Sequence, residues 1–254
     1  MLEHQRHQRI VEILASRGLV SVTELCALLQ ASTATVRRDL TKLQAAGSVR
    51  RVHGGAELTA APPPPVPRAP YGDCPNREAK RAIAATAADL VAESDVVLID
   101  GGTTTYQLGP HLQDKAITVL TNSFPLAEHL VHHGRPTVVL PPGRVDRNHW
   151  VIADPFDSSI FDGYACRWAF MSVKGCDQGG ISNDDDAMIR LERAMLDQAE
   201  RLVLLVDSSK FRQRGRFRLC DWSRVHTVIT DSGIRAHERA LVDAAGANLI
   251  VVDV

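Results

Sequence analysis

The sequence predicts an α/β chain in two parts: a small head with the plan of a winged helix-turn-helix and a larger body built on a Rossmann-like parallel sheet. Three observations carry that expectation. Apolar residues near the start recur at helical spacing, a proline-rich stretch follows, and beyond it short β-branched runs alternate with helical segments. A length of 254 residues with 44% hydrophobic content allows one small and one medium domain, each burying its own core.

In the head, Ile10, Ile13 and Leu14 form one apolar stripe, Val22, Leu25, Leu28 and Leu29 a second, and Val36, Leu40 and Leu43 a third. Each has the spacing of an amphipathic helix. Ser21 and Glu24 match a capping box for the second helix, and Ser32 suits the N-cap of the third because its hydroxyl accepts from an orphan amide. Gly47 supplies a stop, and Ser48-Val49-Arg50-Arg51-Val52-His53 alternates like a strand. Three helices and a β-wing complete the plan.

With Val36, Leu40 and Leu43 turned inward, a rotation of about 100° per residue points Arg38 almost directly away from the core, with Ala34 and Thr41 beside it. Arg38 is therefore the leading candidate to meet a base edge or phosphate of double-stranded operator DNA. Thr33 and Thr35 occupy the first turn, the part of a recognition helix that enters the major groove. Arg37 lies to the side, placed to grip backbone. Asp39 faces the core edge, where pairing with an arginine is expected. In the wing, Arg50, Arg51 and His53 are placed near flanking phosphates, with plain solvated charge as the alternative. Charge distribution agrees: residues 1–57 carry eight Lys+Arg against five Asp+Glu, the remainder 21 against 25, within a whole-chain net of −1. A basic head on an acidic body suits a DNA reader attached to a domain that does not touch DNA. A protein-docking module is the alternative use of such a head.

Residues 58–76 include Ala60-Ala61-Pro62-Pro63-Pro64-Pro65-Val66-Pro67-Arg68-Ala69-Pro70, read as a semi-rigid spacer between a head at 1–57 and a body at 77–254. A proline-recognising partner is the alternative. Strands of the body are expected at Val96–Ile99, Thr118–Leu120, Thr137–Leu140, Trp168–Val173, Leu202–Val206, Val225–Ile229 and Leu249–Val252. Sites in such sheets lie beyond the carboxyl ends of the strands.

The first strand runs into Asp100-Gly101-Gly102-Thr103-Thr104-Thr105, with a helix expected to start among the threonines. Glycines allow close approach of a ligand, and threonine hydroxyls with a helix N-terminus favour an anion, which points to phosphate. A tight capped turn is the alternative. The next strand ends at Thr121-Asn122-Ser123 and the fifth at Asp207-Ser208-Ser209-Lys210, so Asn122, Asp207 and Lys210 converge on the same rim. Lys174, after the fourth strand, is a further candidate. For both lysines the alternative is a solvated surface position.

The run Ser32-Thr33-Ala34-Thr35-Val36-Arg37-Arg38-Asp39-Leu40, with Leu43, Gly47, Arg50-Arg51-Val52 and His53-Gly54-Gly55-Ala56, closely resembles the N-terminal signature of the DeoR-type family of bacterial sugar-metabolism regulators. Asp100-x-Gly102-Thr103-Thr104, Thr121-Asn122-Ser123 and Asp207-Ser208-Ser209-Lys210 resemble the motifs of its C-terminal sensor domain, which is similar to the ribose-phosphate isomerase fold. The resemblance implies that Thr35, Arg37 and Arg38 belong to the DNA-contacting helix. It also implies repression of sugar-catabolism genes, relieved by a phosphorylated sugar or sugar acid. Two departures bear on the effector pocket: Pro141-Pro142-Gly143-Arg144 replaces a usual glycine pair, and Met188 stands where a glutamate is usual. Glu192, one helical turn later on the same face, is the candidate acid. With Glu192, the segment Ile152-Ala153-Asp154-Pro155-Phe156-Asp157 resembles the branch that includes ascorbate-utilisation regulators.

An enzyme of the sugar-phosphate isomerase kind with a helix-turn-helix adaptor is the competing expectation; it needs a carboxylate near the substrate carbon, and the acidic run expected after Ser172-Val173-Lys174 is largely absent. Asp184-Asp185-Asp186 reads as an exposed loop and helix cap. Five cysteines without a C-x-x-C pair and ten histidines without ligand spacing point to no disulfide framework, no metal and no cofactor. No apolar run approaches the ~20 residues of a membrane helix, so a cytoplasmic protein is expected, acting as a homodimer or homotetramer because one small head makes few base contacts.

Overall fold

The computed structural model describes residues 3–52, 54–58, 74–153 and 163–254, and the chain divides into two compact units, Met1–Val66 and Pro67–Val254. The smaller unit consists of α1 (Glu3–Arg17), β1 (Val20–Ser21), α2 (Val22–Leu29), α3 (Thr33–Ala45), β2 (Val49–Val52) and β3 (Gly55–Leu58). The strands form an antiparallel sheet in the order β1-β3-β2. Ile10, Leu14, Leu25, Val36, Leu40 and Val49 are nearly inaccessible and make one core. Leu28 departs from the expected stripe: α2 buries Leu25 and Leu29, while Leu28 is 44% exposed.

The local signals act as chemistry dictates. Ser21 Oγ accepts from the Glu24 amide at 3.1 Å and Glu24 Oε2 accepts from the Ser21 amide at 3.0 Å, closing the capping box. Ser32 Oγ accepts from the Thr35 amide at 3.2 Å and starts α3. At the other end Gly47 takes a left-handed φ of 74°, its amide donating to Gln44 and that of Ser48 to Leu43, the crossed pair of bonds that ends a helix at a glycine.

The larger unit begins with α4 (Arg77–Ala88) and continues through β4 (Val96–Ile99), α5 (Gly109–Leu112), β5 (Thr118–Thr121), α6 (Phe124–His133), β6 (Thr137–Val139), β7 (Arg144–Asp146) and β8 (Val151–Ala153). It then runs through β9 (Cys166–Met171), β10 (Gly175–Asp177), β11 (Gly180–Asn183), α7 (Asp186–Asp197), β12 (Ala199–Leu205), β13 (Phe217–Cys220), β14 (Val225–Asp231), α8 (Ala236–Ala244) and β15 (Asn248–Val252). The seven expected strands form one parallel sheet in the order β15-β14-β12-β9-β4-β5-β6. Their side chains alternate between two apolar layers. Leu98, Ala169, Met171, Leu202 and Leu204 face one layer with Ile189, Met195 and Val242 from α7 and α8. Val97, Ile99, Phe170, Val203 and Leu205 face the other with Ile83, Leu112 and Leu126 from α4, α5 and α6. Both faces are covered, which is why these strands read as near-continuous apolar runs.

Strand order fixes where a ligand can enter. The chain steps outward from β4 to β5 to β6, crosses back to β9, and steps outward on the other side through β12, β14 and β15. The loops after β4 and β9 therefore leave in opposite directions and open a crevice at the carboxyl end of the sheet, the topological switch point. Two smaller sheets frame this end: the β7–β8 hairpin and the antiparallel set β10-β11-β13. Neither was visible in the sequence pattern.

Candidate functional site

The crevice holds a cavity of about 360 Å3. Gly101, Gly102, Thr103 and Thr104 line it from the loop after β4, Ser172, Val173 and Lys174 from the loop after β9, and Lys210 from the turn after β12. Asn183, Asp184 and Asp185 come from the end of β11, Met188 and Glu192 from α7, and Asn148, His149 and Val151 from the β7–β8 hairpin. The Asp100 amide donates to Phe170 O at 3.0 Å, holding the two diverging loops together at their base.

Seven of the eleven effector candidates lie on the cavity wall: Gly101, Gly102, Thr103, Thr104, Lys174, Glu192 and Lys210. The other four stand behind it. Asp100 and Asn122 are fully buried, with Asn122 Nδ2 donating to Asp100 Oδ1 at 2.9 Å. Thr105 is buried and donates to Gly102 O at 3.1 Å, which shapes the threonine loop. Asp207 accepts from Asn76 Nδ2 at 2.8 Å and from the Ser209 amide at 3.2 Å, so it fixes the turn that carries Lys210.

A helical segment does start among the threonines, at Thr105, but it is short. Thr105–Leu108 is a 3-10 turn and α5 has four residues. The Gly109 amide donates to Tyr106 O in the tighter 3-10 pattern, and Pro110, which has no amide, sits in the first turn of α5. In place of a helix dipole, a lysine supports the loop: Lys80 of α4, 5% exposed, donates from Nζ to Thr103 Oγ1 at 3.0 Å. Lys210 feels both Lys80 and Lys174. Burial lowers its pKa first, Asp207 opposes that, and the two other lysines lower it further. A cluster of cations this close is poised to accept an anion.

Buried carboxyls also stand at and behind the cavity wall. Burial pushes Asp100 up to about 7 against the hydrogen bonds from Asn122 and Gly101. Burial first, and the neighbouring Asp100 second, raise Glu192 well above the ordinary carboxylate range. Of the Asp184–Asp186 run, Asp184 pairs with Lys174 at 3.7 Å and Asp185 Oδ1 accepts from the Met188 amide at 3.1 Å, the helix-capping part expected of it. The family-marked departures Met188 and Glu192 both reach the cavity from one face of α7.

A hairpin closes one side. Asp146 Oδ1 accepts from the amides of Asn148 and His149, each at 2.8 Å, and these bonds hold Asp146 below its ordinary value despite its burial. Phe124 N and Ile152 N donate to Trp150 O at 3.0 Å and Asn122 O at 2.7 Å, fastening the hairpin beside β5. A Cβ on Gly101 would sit 2.3 Å from Val151 Cγ1 and 3.4 Å from Asn122 Oδ1. Gly101→Ala is therefore expected to push Val151 into the cavity, costing about 1–3 kcal/mol of stability and abolishing the thermal shift produced by a sugar-phosphate ligand. An unchanged shift would place the ligand elsewhere.

Residues 75–232 match the model of the DeoR C terminal sensor domain and residues 6–61 that of the DeoR-like helix-turn-helix domain. The chain belongs to the DeoR family. Over 99% of its length it is 31% identical to the HTH-type transcriptional regulator UlaR of Shigella dysenteriae serotype 1 and likewise to UlaR of Escherichia coli K12, each matched over its whole length. Among solved structures, ribose 5-phosphate isomerase A from Neisseria gonorrhoeae is similar over 52% of each chain, with a TM-score of 0.40 and 17% identity. The protein is a helix-turn-helix transcription regulator with a C-terminal sensor domain.

In the DeoR-like head, α3 presents Ser32, Thr33, Arg37, Arg38 and Thr41 to solvent, and Thr35 is half-buried. Ser32 Oγ and Thr35 Oγ1 are 2.9 Å apart, so both hydroxyls serve the cap as well as any outside partner. Thr41 Oγ1 donates to Arg37 O at 2.9 Å and accepts from Arg51 Nη1 at 3.3 Å, which draws one wing arginine toward the recognition helix. Arg50, an exposed wing residue, donates to Glu57 Oε1 across the wing at 2.7 Å. The Arg38 side chain makes no hydrogen bond or ion pair with a described residue. Asp39 pairs as expected: Arg6 donates from Nε at 2.5 Å and from Nη2 at 3.0 Å, and His7 Nε2 stands 3.1 Å away. His53 lies outside the described residues, as do residues 154–157 of the subgroup segment.

Lys80, Asn183 and His149 escaped the sequence reading. Lys80 sits in an ordinary amphipathic helix, Asn183 at the end of a short strand rich in glycine and polar residues, and His149 in a hairpin turn. Each acquires meaning only when distant segments fold against the crevice. Among the described residues no group of histidine, cysteine and carboxylates could hold a metal, and no helix is long and apolar enough to cross a membrane.

Proposed function

We propose that the protein is a cytoplasmic repressor of carbohydrate-catabolism genes that binds operator DNA as a homodimer or homotetramer and lets go when a phosphorylated sugar or sugar acid fills the cavity. The observation that carries this reading is the cavity's lining: at the switch point of the sheet, the threonine loop braced by Lys80 shares one cavity with Lys174, Lys210 and the buried carboxyl of Glu192. A phosphate suits the lysines and the hydroxyl-bearing threonine loop. The cavity has the size of small-ligand sites. On the DNA side, Arg38, Thr33, Arg37 and Arg51 are the proposed contacts, with Arg38 free to meet a base edge.

Release of DNA requires that the ligand favour one arrangement of the assembled protein over another, since equal affinity for both shifts nothing. The regulator is not proposed as an enzyme: the cavity is put forward as a binding site, with the buried carboxyls holding ligand rather than moving a proton between carbons. A thermal-shift screen of sugar phosphates, followed by gel-shift titration of DNA upstream of its own gene, tests the proposal. A stabilising ligand that also releases the DNA is expected. A ligand that is turned over, or a protein that stays monomeric and ignores the DNA, contradicts it.

A further inference from the structure

Glu192 lines the cavity from α7 with 2% of its surface exposed. Its Oε1 accepts from Asn183 Nδ2 at 2.6 Å, and Oε2 has no hydrogen-bond partner among the described residues. Asn183 is itself held, accepting from the Lys174 amide at 2.6 Å. Lys174 Nζ is engaged with Asp184 rather than with Glu192. Nearby, Asp100 is fully buried, one oxygen taken by Asn122 and the other, Oδ2, unpartnered. Two desolvated carboxyls, Glu192 with one amide donor and Asp100 with those of Asn122 and Gly101, and neither with a countercharge, cannot both ionise.

We infer that Glu192 stands in the cavity as a neutral carboxylic acid and offers its Oε2–H to an acceptor oxygen of the effector, a carbonyl or carboxylate rather than an alcohol. The inference rests on the sensor reading above and adds the chemistry of a second group on the ligand besides its phosphate. The groups that set this proton come from every element around it. Asp100 at the end of β4 and Asp185 at the start of α7 add negative charge, and Asn183 at the end of β11 donates to the carboxyl. His149 of the hairpin, Met188 of α7 and Lys210 after β12 complete the wall. Burial and the two aspartates favour the protonated form; Asn183 alone opposes them. The protonated acid donates, whereas the ionised form repels a carboxylate. Preference for a carboxylate ligand is therefore full below the raised pKa and falls about tenfold per pH unit above it.

The test uses the full chain and two probes, 6-phosphogluconate and sorbitol 6-phosphate, which share length and phosphate and differ in a terminal carboxylate against an alcohol. Calorimetry at about pH 7 and about pH 9 keeps the phosphate dianionic in both cases. At the lower pH the acid is expected to bind about tenfold more tightly than the alcohol, the worth of one charge-assisted hydrogen bond, and that preference is expected to shrink toward the higher pH as the carboxyl ionises. Glu192→Gln keeps an N–H donor and cannot ionise, so it is expected to hold the preference at both pH values. Titration of Lys210 weakens both probes alike and drops out of the ratio. Equal affinity for the two probes at about pH 7, or the same loss of preference in Glu192→Gln, overturns the inference while leaving the sensor reading intact. Failure of both probes and of inorganic phosphate to bind overturns the sensor reading and the inference with it.

Discussion

Asp39→Ala is expected to lower the unfolding temperature of the DNA-reading head by roughly 10 °C and to remove DNA binding at growth temperature. Asp39 is 1% exposed in the middle of α3, and its carboxylate is the joint at which Arg6 and His7 of α1 are fastened to the recognition helix. Removing it takes away the acceptor that Arg6 and His7 share, and losing charge-assisted bonds to a nearly inaccessible carboxylate costs about 2 kcal/mol. A head of this size has little reserve: such small domains bury a modest share of their surface, so a loss of that order is a large part of the whole. The same joint gives a pH signature. Burial opposes the charge on Asp39, but the hydrogen bonds from Arg6 and His7 outweigh it and hold the pKa below the ordinary 3.8. A depressed carboxylate stabilises fully above its unfolded value and loses that contribution as pH falls through its folded value. Calorimetry of the full chain should show the head transition weakening in acid in the native protein and not in Asp39→Ala. A head melting at the native temperature in the variant would mean the pair is ornamental.

Arg38→Ala is expected to weaken binding to the protein's own operator about 10- to 100-fold and to relax its sequence preference, with little change in head stability. Arg38 lies on the face of α3 opposite Val36, Leu40 and Leu43, it is exposed, and no described residue competes for its guanidinium. Arg37→Ala, on the flank, is expected to weaken specific and nonspecific binding alike and to reduce the salt slope by about one. Fluorescence anisotropy with operator and scrambled DNA over a salt series separates the two. Equal behaviour of the two variants would show that α3 meets DNA in another rotation.

Legibility in the sequence followed how locally each feature is determined. The seven parallel strands could be read because strands buried on both faces must be apolar throughout, and Val96–Ile99 or Leu202–Leu205 satisfy that without reference to anything distant. The caps at Ser21, Ser32 and Gly47 depend on three or four neighbouring residues and were equally plain. The segment after the threonines opens as a short 3-10 turn, a tighter pitch that apolar spacing over so few residues does not reveal. The β7–β8 hairpin and the β10-β11-β13 sheet are short, polar and glycine-rich, so they carry no periodic signal, yet they deliver His149 and Asn183 to the cavity. Arg50 was placed correctly on the wing, but its pairing with Glu57 depends on the register of Arg50 opposite Glu57. Glu192 was marked by its displacement from the position where the family usually has a glutamate, and the structure brings both it and Met188 to the wall.

The central claim, that occupancy of the crevice governs the grip of the head, is tested most directly by one titration. Labelled operator DNA bound to the full-length protein is followed by anisotropy while a stabilising sugar phosphate is added, in the native protein and in Lys210→Ala. Lys210 stands on the cavity wall among the lysines while the DNA-reading surface lies in the other compact unit. The native complex is expected to dissociate as ligand is added, and Lys210→Ala is expected to bind the same DNA and stay bound at ligand concentrations roughly 100-fold higher, the worth of a charge-assisted contact to phosphate. Release of DNA from Lys210→Ala at the native ligand concentration would contradict the account.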